Sequence, residues 1–326
     1  MSVPVFIHHE INCGNVKGMG SSNYPLYTLQ SAKKYNESVI LFGNDENKDW
    51  WNDWVNTSDY LDENWKRFEN AFVNMAINYS DNYVKAFYKR LFAFNSYAQR
   101  HNIEEFIMSD SDVLIYTDFS KDMRLKICDC AAYEKEETDM NIGPIHNNMR
   151  WSISLGLSYW KTKIFGDFIA FIIDMYENHI DILQEKYEYH KKYGIDGGVC
   201  EMTLMYLWKK KRGDNIKFLN FVKYDKNGIL HDAGGHLSDN YYKNEYRYNN
   251  ILKMKVIKFR NNIPYFVDNN GNYVATGSIH FAGGLKKYMK DIYLHKRVSF
   301  FHKCVAVMNY LLDLMMKNSY IRLGGE

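Results

Sequence analysis

Two short apolar runs, VPVFIH at 3–8 and SVILF at 38–42, bracket a Gly-rich loop (Gly14 to Ser22) and a helical segment around Tyr24 to Tyr35. Runs without a polar face are strands covered on both sides, and the second closes at Gly43-Asn44-Asp45. Strand, helix and strand in that order form a βαβ unit. The parallel sheet this implies opens a nucleotide-sized crevice at the carboxyl ends of its strands.

Further along, Val84, Phe87, Tyr88, Leu91 and Phe92 recur at helical spacing, which predicts an amphipathic helix over 82–100. A buried strand interrupted by three polar residues follows at 105–116, and helices are expected at 167–182 and 201–210. The turn signals Asn261-Asn262 and Asn269-Asn270-Gly271 predict a hairpin over 261–275, and the last forty or so residues have a helical pattern.

Composition removes several function classes. With 46% hydrophobic and 16% aromatic residues in 326, the chain has material for a sizeable core. Its 41 basic and 39 acidic residues nearly cancel, whereas bulk nucleic-acid binding needs a marked positive excess. Met1 to His8 lacks the pattern of a signal peptide, and no apolar run is long enough to span a bilayer. Five scattered cysteines point to reduced thiols and a cytoplasmic location, and Cys128-x-Cys130 lacks the second pair that zinc requires.

The sharpest feature is Asp110-Ser111-Asp112, set between Phe106-Ile107-Met108 and Val113-Leu114-Ile115. Carboxylates are costly to bury unless paired or bound to a cation. Two of them at i and i+2, where a strand gives way to a turn, can converge on one divalent ion. Magnesium or manganese takes oxygen ligands and bridges protein carboxylates to diphosphate oxygens. Roughly one such triplet is expected by chance in a chain this long. Its weight comes from the apolar strand behind it and the helix ending near His101.

From Tyr88-Lys89-Arg90-Leu91 through Asp110-Ser111-Asp112-Val113, the chain resembles the GT-A glycosyltransferases of the nucleotide-diphospho-sugar transferase superfamily. Three later stretches fit in order: Trp151-Ser152-Ile153-Ser154-Leu155-Gly156, then 196–203, beginning Asp196-Gly197-Gly198, and Ile279-His280-Phe281-Ala282-Gly283-Gly284-Leu285-Lys286. The resemblance spans roughly Val3 to Met289. It implies an α/β fold with a Rossmann-like mixed central sheet flanked by helices. One catalytic domain would occupy 1–284, with a nucleotide-binding half at 1–118 and a sugar and acceptor half at 119–284, followed by a helical extension at 285–326.

The resemblance also implies roles. Asp110, Asp112 and His280 would hold Mn2+ (or Mg2+), and Ser111 would face the donor. Gly283 and Lys286 would meet the diphosphate, while Arg90 would buttress the acidic motif. His8 and Asp45 would lie by the nucleobase, and Trp151 and Ser152 by the donor sugar. Glu201 or Asp196 would be the carboxylate at the reacting carbon. Each has a plainer reading: His280 a core histidine in a turn, Arg90 a surface arginine, Trp151 a core tryptophan. Glu201 could be an acid favoured by a helix N-terminus, and Asp196 a turn residue. Lys287 and Lys290 compete with Lys286. The basic and apolar tail at 286–322 either packs on the domain or lies on an anionic membrane surface.

The function expected is metal-dependent transfer of a sugar from a nucleotide diphosphate donor, a UDP-sugar first, to a hydroxyl of a glycan, lipid-linked or protein acceptor. Two rivals remain: metal-dependent nucleotidyl transfer or phosphodiester hydrolysis, which uses more carboxylates, and a catalytically silent carbohydrate-binding protein, which would need no manganese.

Overall fold

The computed structural model describes residues 2–11, 23–135, 149–222, 229–235 and 245–295, and the backbone of short strands at 138–139 and 143–144. The expected loop at 14–22 and the tail beyond 295 lie outside the described residues.

Strand β1 (Val5–His8) runs parallel to β2 (Val39–Gly43), with α1 (Tyr24–Tyr35) between them in the chain, as the βαβ pattern requires. β3 (Trp54–Asn56) adds the outer edge; α2 (Glu63–Ala71) and α3 (Asp81–Arg100) then lead to β4 (Glu105–Asp110), which pairs with the free side of β1. β5 (Val113–Ile115) and β6 (Cys130–Glu134) come next, then a small ribbon of β7 (Thr138–Asp139) and β8 (Gly143–Pro144). The long β9 (Ile153–Lys161) inserts antiparallel between β4 and β6. Helices α4 (Thr162–Asn178), α5 (Ile180–Lys192) and α6 (Glu201–Arg212) then lead to β10 (Phe218–Asn220). The result is a seven-stranded sheet of order β10-β6-β9-β4-β1-β2-β3, in which β9 alone runs against the rest.

The remaining strands are β11 (Leu230–His231), β12 (Tyr248–Asn249), β13 (Met254–Lys255), β14 (Ile257–Arg260), β15 (Ile263–Val267) and β16 (Tyr273–His280), followed by α7 (Met289–Tyr293). A second sheet has the order β11-β16-β15-β14, and β5 also pairs with β16. Apolar side chains fill both faces of the large sheet. Phe6, Phe42, Phe106 and Trp160 pack with α2, α3, α4 and α6 on one face, and Val5, Ile7, Leu41 and Ile107 with α1 on the other. A third cluster joins the small sheet to the start of the expected extension through Leu285, Tyr288, Met289 and Ile292. Among the described residues, no helix is long and apolar enough to cross a membrane.

Three elements depart from expectation. The helix read at 167–182 is two helices broken at His179, whose φ of −135° is not helical. Apolar spacing continues through the break because Leu183 on α5 is buried like Tyr176 on α4. The strand read at 105–116 divides at Ser111, β4 joining the large sheet and β5 the small one. The hairpin read at 261–275 is part of a three-stranded meander. Asn261 and Asn262, at φ 49° and 65°, turn β14 into β15, and Gly271 at φ 89° lies in the next turn.

Phe6 is fully buried and stacks on Phe106 with ring centroids 4.7 Å apart. Phe6→Ala is expected to cost about 3–5 kcal/mol through the cavity it leaves, measured as a lowered urea midpoint with an unchanged slope.

Candidate functional site

Asp110 closes β4 beside His8 of β1, and three residues later Val113 opens β5 opposite His280, the last residue of β16. The acidic triplet is therefore where the chain leaves one sheet for the other. Its backbone is held from two sides: the Phe281 N–H donates to the Asp112 carbonyl at 2.8 Å, and the Thr28 hydroxyl to the Ser111 carbonyl at 2.7 Å.

The side chains converge. Asp112 Oδ1 lies 3.2 Å from His280 Nε2, and Oδ2 lies 3.1 Å from Lys286 Nζ. Asp110 is paired with Arg90 of α3, whose Nη2 is 3.5 Å from Oε1 of Glu201 at the start of α6. His280 Nδ1 donates to the Ala233 carbonyl at 3.0 Å, which turns Nε2 toward the acids. Asp232 accepts the His280 backbone N–H at 3.1 Å on one oxygen and is paired with buried Lys255 on the other. The neighbouring loop thus fixes both backbone and ring of His280.

Gly156 of β9 supplies the floor. A Cβ built there would lie 3.1 Å from Asp110 Oδ2 and 3.2 Å from His280 Cε1. The register between β6 and β9 shifts from Ala131↔Tyr159 to Tyr133↔Ser154, so Gly156 sits in a bulge, a device that re-aims backbone beside sites.

Ligand atoms of Asp110, Asp112 and His280 all lie within 4.8 Å of one another. Two carboxylate oxygens and an imidazole nitrogen suit a manganese or magnesium ion with bonds of ~2.1 Å, given small closing movements. Burial would raise the Asp112 carboxyl, but His280 and Lys286 more than offset it and hold the group well below the usual carboxylate range. Burial would likewise lower His280, yet the charge and hydrogen bond of Asp112 leave it raised to about 9. Burial pushes Glu201 up against the opposing charge of Arg90.

The other expected residues are placed as follows. Gly283, at φ 59°, begins the turn that carries Lys286, while Lys287 and Lys290 are exposed. His8 stands beside Asp110 in the sheet but turns toward Glu10, 3.6 Å away, and Glu10 is bound by Lys89 at 2.8 Å. The histidine that reaches the triplet is His9, whose Nδ1 is 3.2 Å from Ser111 Oγ and whose ring stacks on Trp50. Burial lowers His9 to about 4, so it is neutral at pH 7. Asp45 is exposed and accepts from Asn56 at 3.2 Å. Trp151, Ser152 and Asp196 line a separate pocket, where Asp196 is an exposed rim residue. Glu201, and not Asp196, is therefore the carboxylate that joins Arg90 and Asp110. His9, Glu10, Gly156 and Asp232 had no role in the sequence reading; the doubled His8-His9 at a strand end was the one available signal.

No protein-family model matches the sequence, and no curated protein matches it. Among solved structures, the chain is similar to mouse xyloside xylosyltransferase 1 at 10% identity and TM-score 0.43, over 68% of this chain and 85% of that one. It is similar to the bifunctional glycosyltransferase WbbM at 12% and 0.36, over 67% and 38%. It is also similar to the galactosyltransferase LgtC, solved with donor and acceptor sugar analogues, at 11% and 0.34, over 67% and 73%.

A protonated His280 cannot bind metal, so below its value of about 9 each ion bound must displace a proton. Mn2+ affinity is expected to fall about tenfold per unit as pH drops from 8 to 6, read by electron paramagnetic resonance titration; a flat profile would exclude His280 as a ligand. Gly156→Ala should keep the melting temperature within a few degrees yet weaken Mn2+ binding about tenfold, because the new methyl crowds Asp110 and His280.

Proposed function

We propose that this chain is a divalent-metal-dependent glycosyltransferase using a nucleotide diphosphate sugar, a UDP-sugar in the first instance, and an acceptor hydroxyl. The observation that carries the reading is the meeting of Asp110, Asp112, His280 and Lys286 at the carboxyl edge of the large sheet. In open α/β sheets this edge is where nucleotides bind.

Asp110, Asp112 and His280 would hold the ion, which when bound supplies Lewis-acid stabilisation to a departing nucleoside diphosphate. Lys286 would leave Asp112 and meet the diphosphate as a mobile point charge. Arg90 fixes the orientation of Asp110 and keeps Glu201 close to it. Glu201, buried and raised in pKa, is the carboxylate we assign to the reacting carbon. The neutral His9 ring on Trp50 provides a flat surface beside the triplet where a nucleobase would rest. Among the described residues, one group of three metal-binding side chains is present. Two-metal nucleotidyl transfer would call for further carboxylates around that group.

Thermal melting with UDP, with and without MnCl2, followed by sugar release from UDP-glucose, UDP-galactose, UDP-N-acetylglucosamine and UDP-xylose, tests the reading. UDP should stabilise the protein only with Mn2+, and one donor should release its sugar. Asp112→Ala should lower that rate by ~100-fold or more, since even outer residues of a metal site are worth about 10–100-fold. Pyrophosphate release from nucleoside triphosphates without sugar release would overturn it in favour of nucleotidyl transfer. Glycan binding that ignores Mn2+ and survives in Asp112→Ala would instead make the chain a silent binding protein.

A further inference from the structure

We propose that the pocket between α5 and the start of α6 binds an acidic group of the acceptor, a carboxylate or a phosphate, through the Lys186 ammonium and the Trp151 indole N–H. The proposal deepens the glycosyl-transfer reading above and rests on it for the word acceptor; the acid preference itself stands on the pocket.

The pocket holds about 270 Å³ and is lined by Trp151, Ser152, Lys186, His190, Cys200 and Thr203, among others. That is near the lower end of ligand pockets, roughly 300–1,000 Å³, and suits one small polar unit. Lys186 is only 3% exposed, and its ammonium donates to the Trp151 carbonyl at 3.0 Å and the Thr203 hydroxyl at 2.9 Å. An ammonium has three N–H bonds, so one donor remains. Lys186 has no carboxylate partner among the described residues. A buried cation left without a counter-charge is a costly arrangement that an incoming anion would relieve. Burial has already lowered Lys186 to about 8, which still leaves it mostly charged at pH 7.

Trp151 gives the second, independent observation. Its Nε1 is buried and has no hydrogen-bond partner. Indole N–H and ammonium are both donors with no acceptor capacity, so the complement must present acceptor oxygens, best of all charged ones. Lys135 and Arg150 also stand in the lining. The carboxylate of the lining, Asp196, is at the exposed rim.

The pocket is also placed to serve the acid cluster. Cys200, Met202 and Thr203 line it, while Glu201 among them reaches the other way to Arg90. Ser152 in its wall is four residues before Gly156, where an added Cβ would meet Asp110 and His280; at ~3.3 Å per residue the separation is at most about 13 Å. An acceptor whose acid sits here would have about that distance to span for its hydroxyl to reach the cluster.

The test is calorimetric titration with D-glucuronate, D-glucose 6-phosphate and D-glucose, each with and without saturating Mn2+ and UDP. Glucuronate or the phosphate should bind at least about tenfold more tightly than glucose, and which of the two binds tells a carboxylate from a phosphate acceptor. Lys186→Met should abolish the preference. Trp151→Phe, which keeps an aromatic ring and removes the N–H, should reduce it, and remains informative if the lysine variant fails to fold. Equal binding of all three sugars, or an acid preference that persists in both folded variants, would overturn the proposal. Failure of Mn2+ and UDP to bind would instead count against the glycosyl-transfer reading, with the acid preference judged on its own.

Discussion

The antiparallel pairing of β5 with β16 is the constraint on which the site depends. It fixes His280 opposite Val113 and thereby beside Asp112, although the two residues are far apart in the chain. Side chains alternate along a strand, so a slip of one residue would carry Ile279 toward the acids and His280 away from them. Several contacts oppose that slip. The Phe281 N–H is bonded to the Asp112 carbonyl, the Gly235 N–H to the His280 carbonyl, and the His280 N–H to Asp232. Asp232 is held by Lys255, and breaking a buried pair of this kind costs about 3–5 kcal/mol. The ring of His280 is thus positioned by the Ala233 carbonyl and by a strand register that the Asp112 carbonyl helps to hold.

The second constraint is charge. Asp110, Asp112 and Glu201 face Arg90, Lys286 and His280, so the buried cluster is close to neutral when His280 carries its proton. A divalent ion held by this set would bring excess positive charge, which loss of the His280 proton and an anion near Lys286 would relieve. Arg90 stays outside this exchange because it is bound to Asp110 and Glu201 together, and its burial leaves it little freedom to move.

The βαβ opening, the amphipathic α3 and the strand into Asp110 were legible because each is written in local apolar spacing. Arg90 was a candidate only through the resemblance, which places a basic residue on the helix before the acidic motif. The division of 105–116 between two sheets was not, because Val113-Leu114-Ile115 is equally apolar whichever sheet receives it. The break at His179 was hidden for a similar reason, since buried side chains on both helices keep the spacing going. Gly156 looks like any strand glycine until the bulge in β9 and the two side chains above it are known. Asp232 and Ala233 act through one hydrogen bond each to a residue distant in sequence, and nothing local marks them. Trp151 was read by the donor sugar and Asp196 at the reacting carbon because their motifs come in the right order, and the fold brings both to the wall of one pocket.

The first turn of α6 divides its side chains between two chemistries. Glu201 enters a cluster where carboxylates outnumber any acceptor need and cations answer them one for one. Cys200 and Thr203 border a space whose buried donors, Lys186 and Trp151, have no such answer. Adjacent residues on a rigid helix cannot move independently, so a ligand that orders the pocket also steadies Glu201 relative to Arg90. Had the pocket been filled by protein, an apolar side chain in place of Lys186 would have served better than a buried ammonium. Lys186 instead keeps its charge on two neutral oxygens and the face of Trp151, 6.0 Å from the ring centroid, an arrangement that an anion from outside the chain would complete.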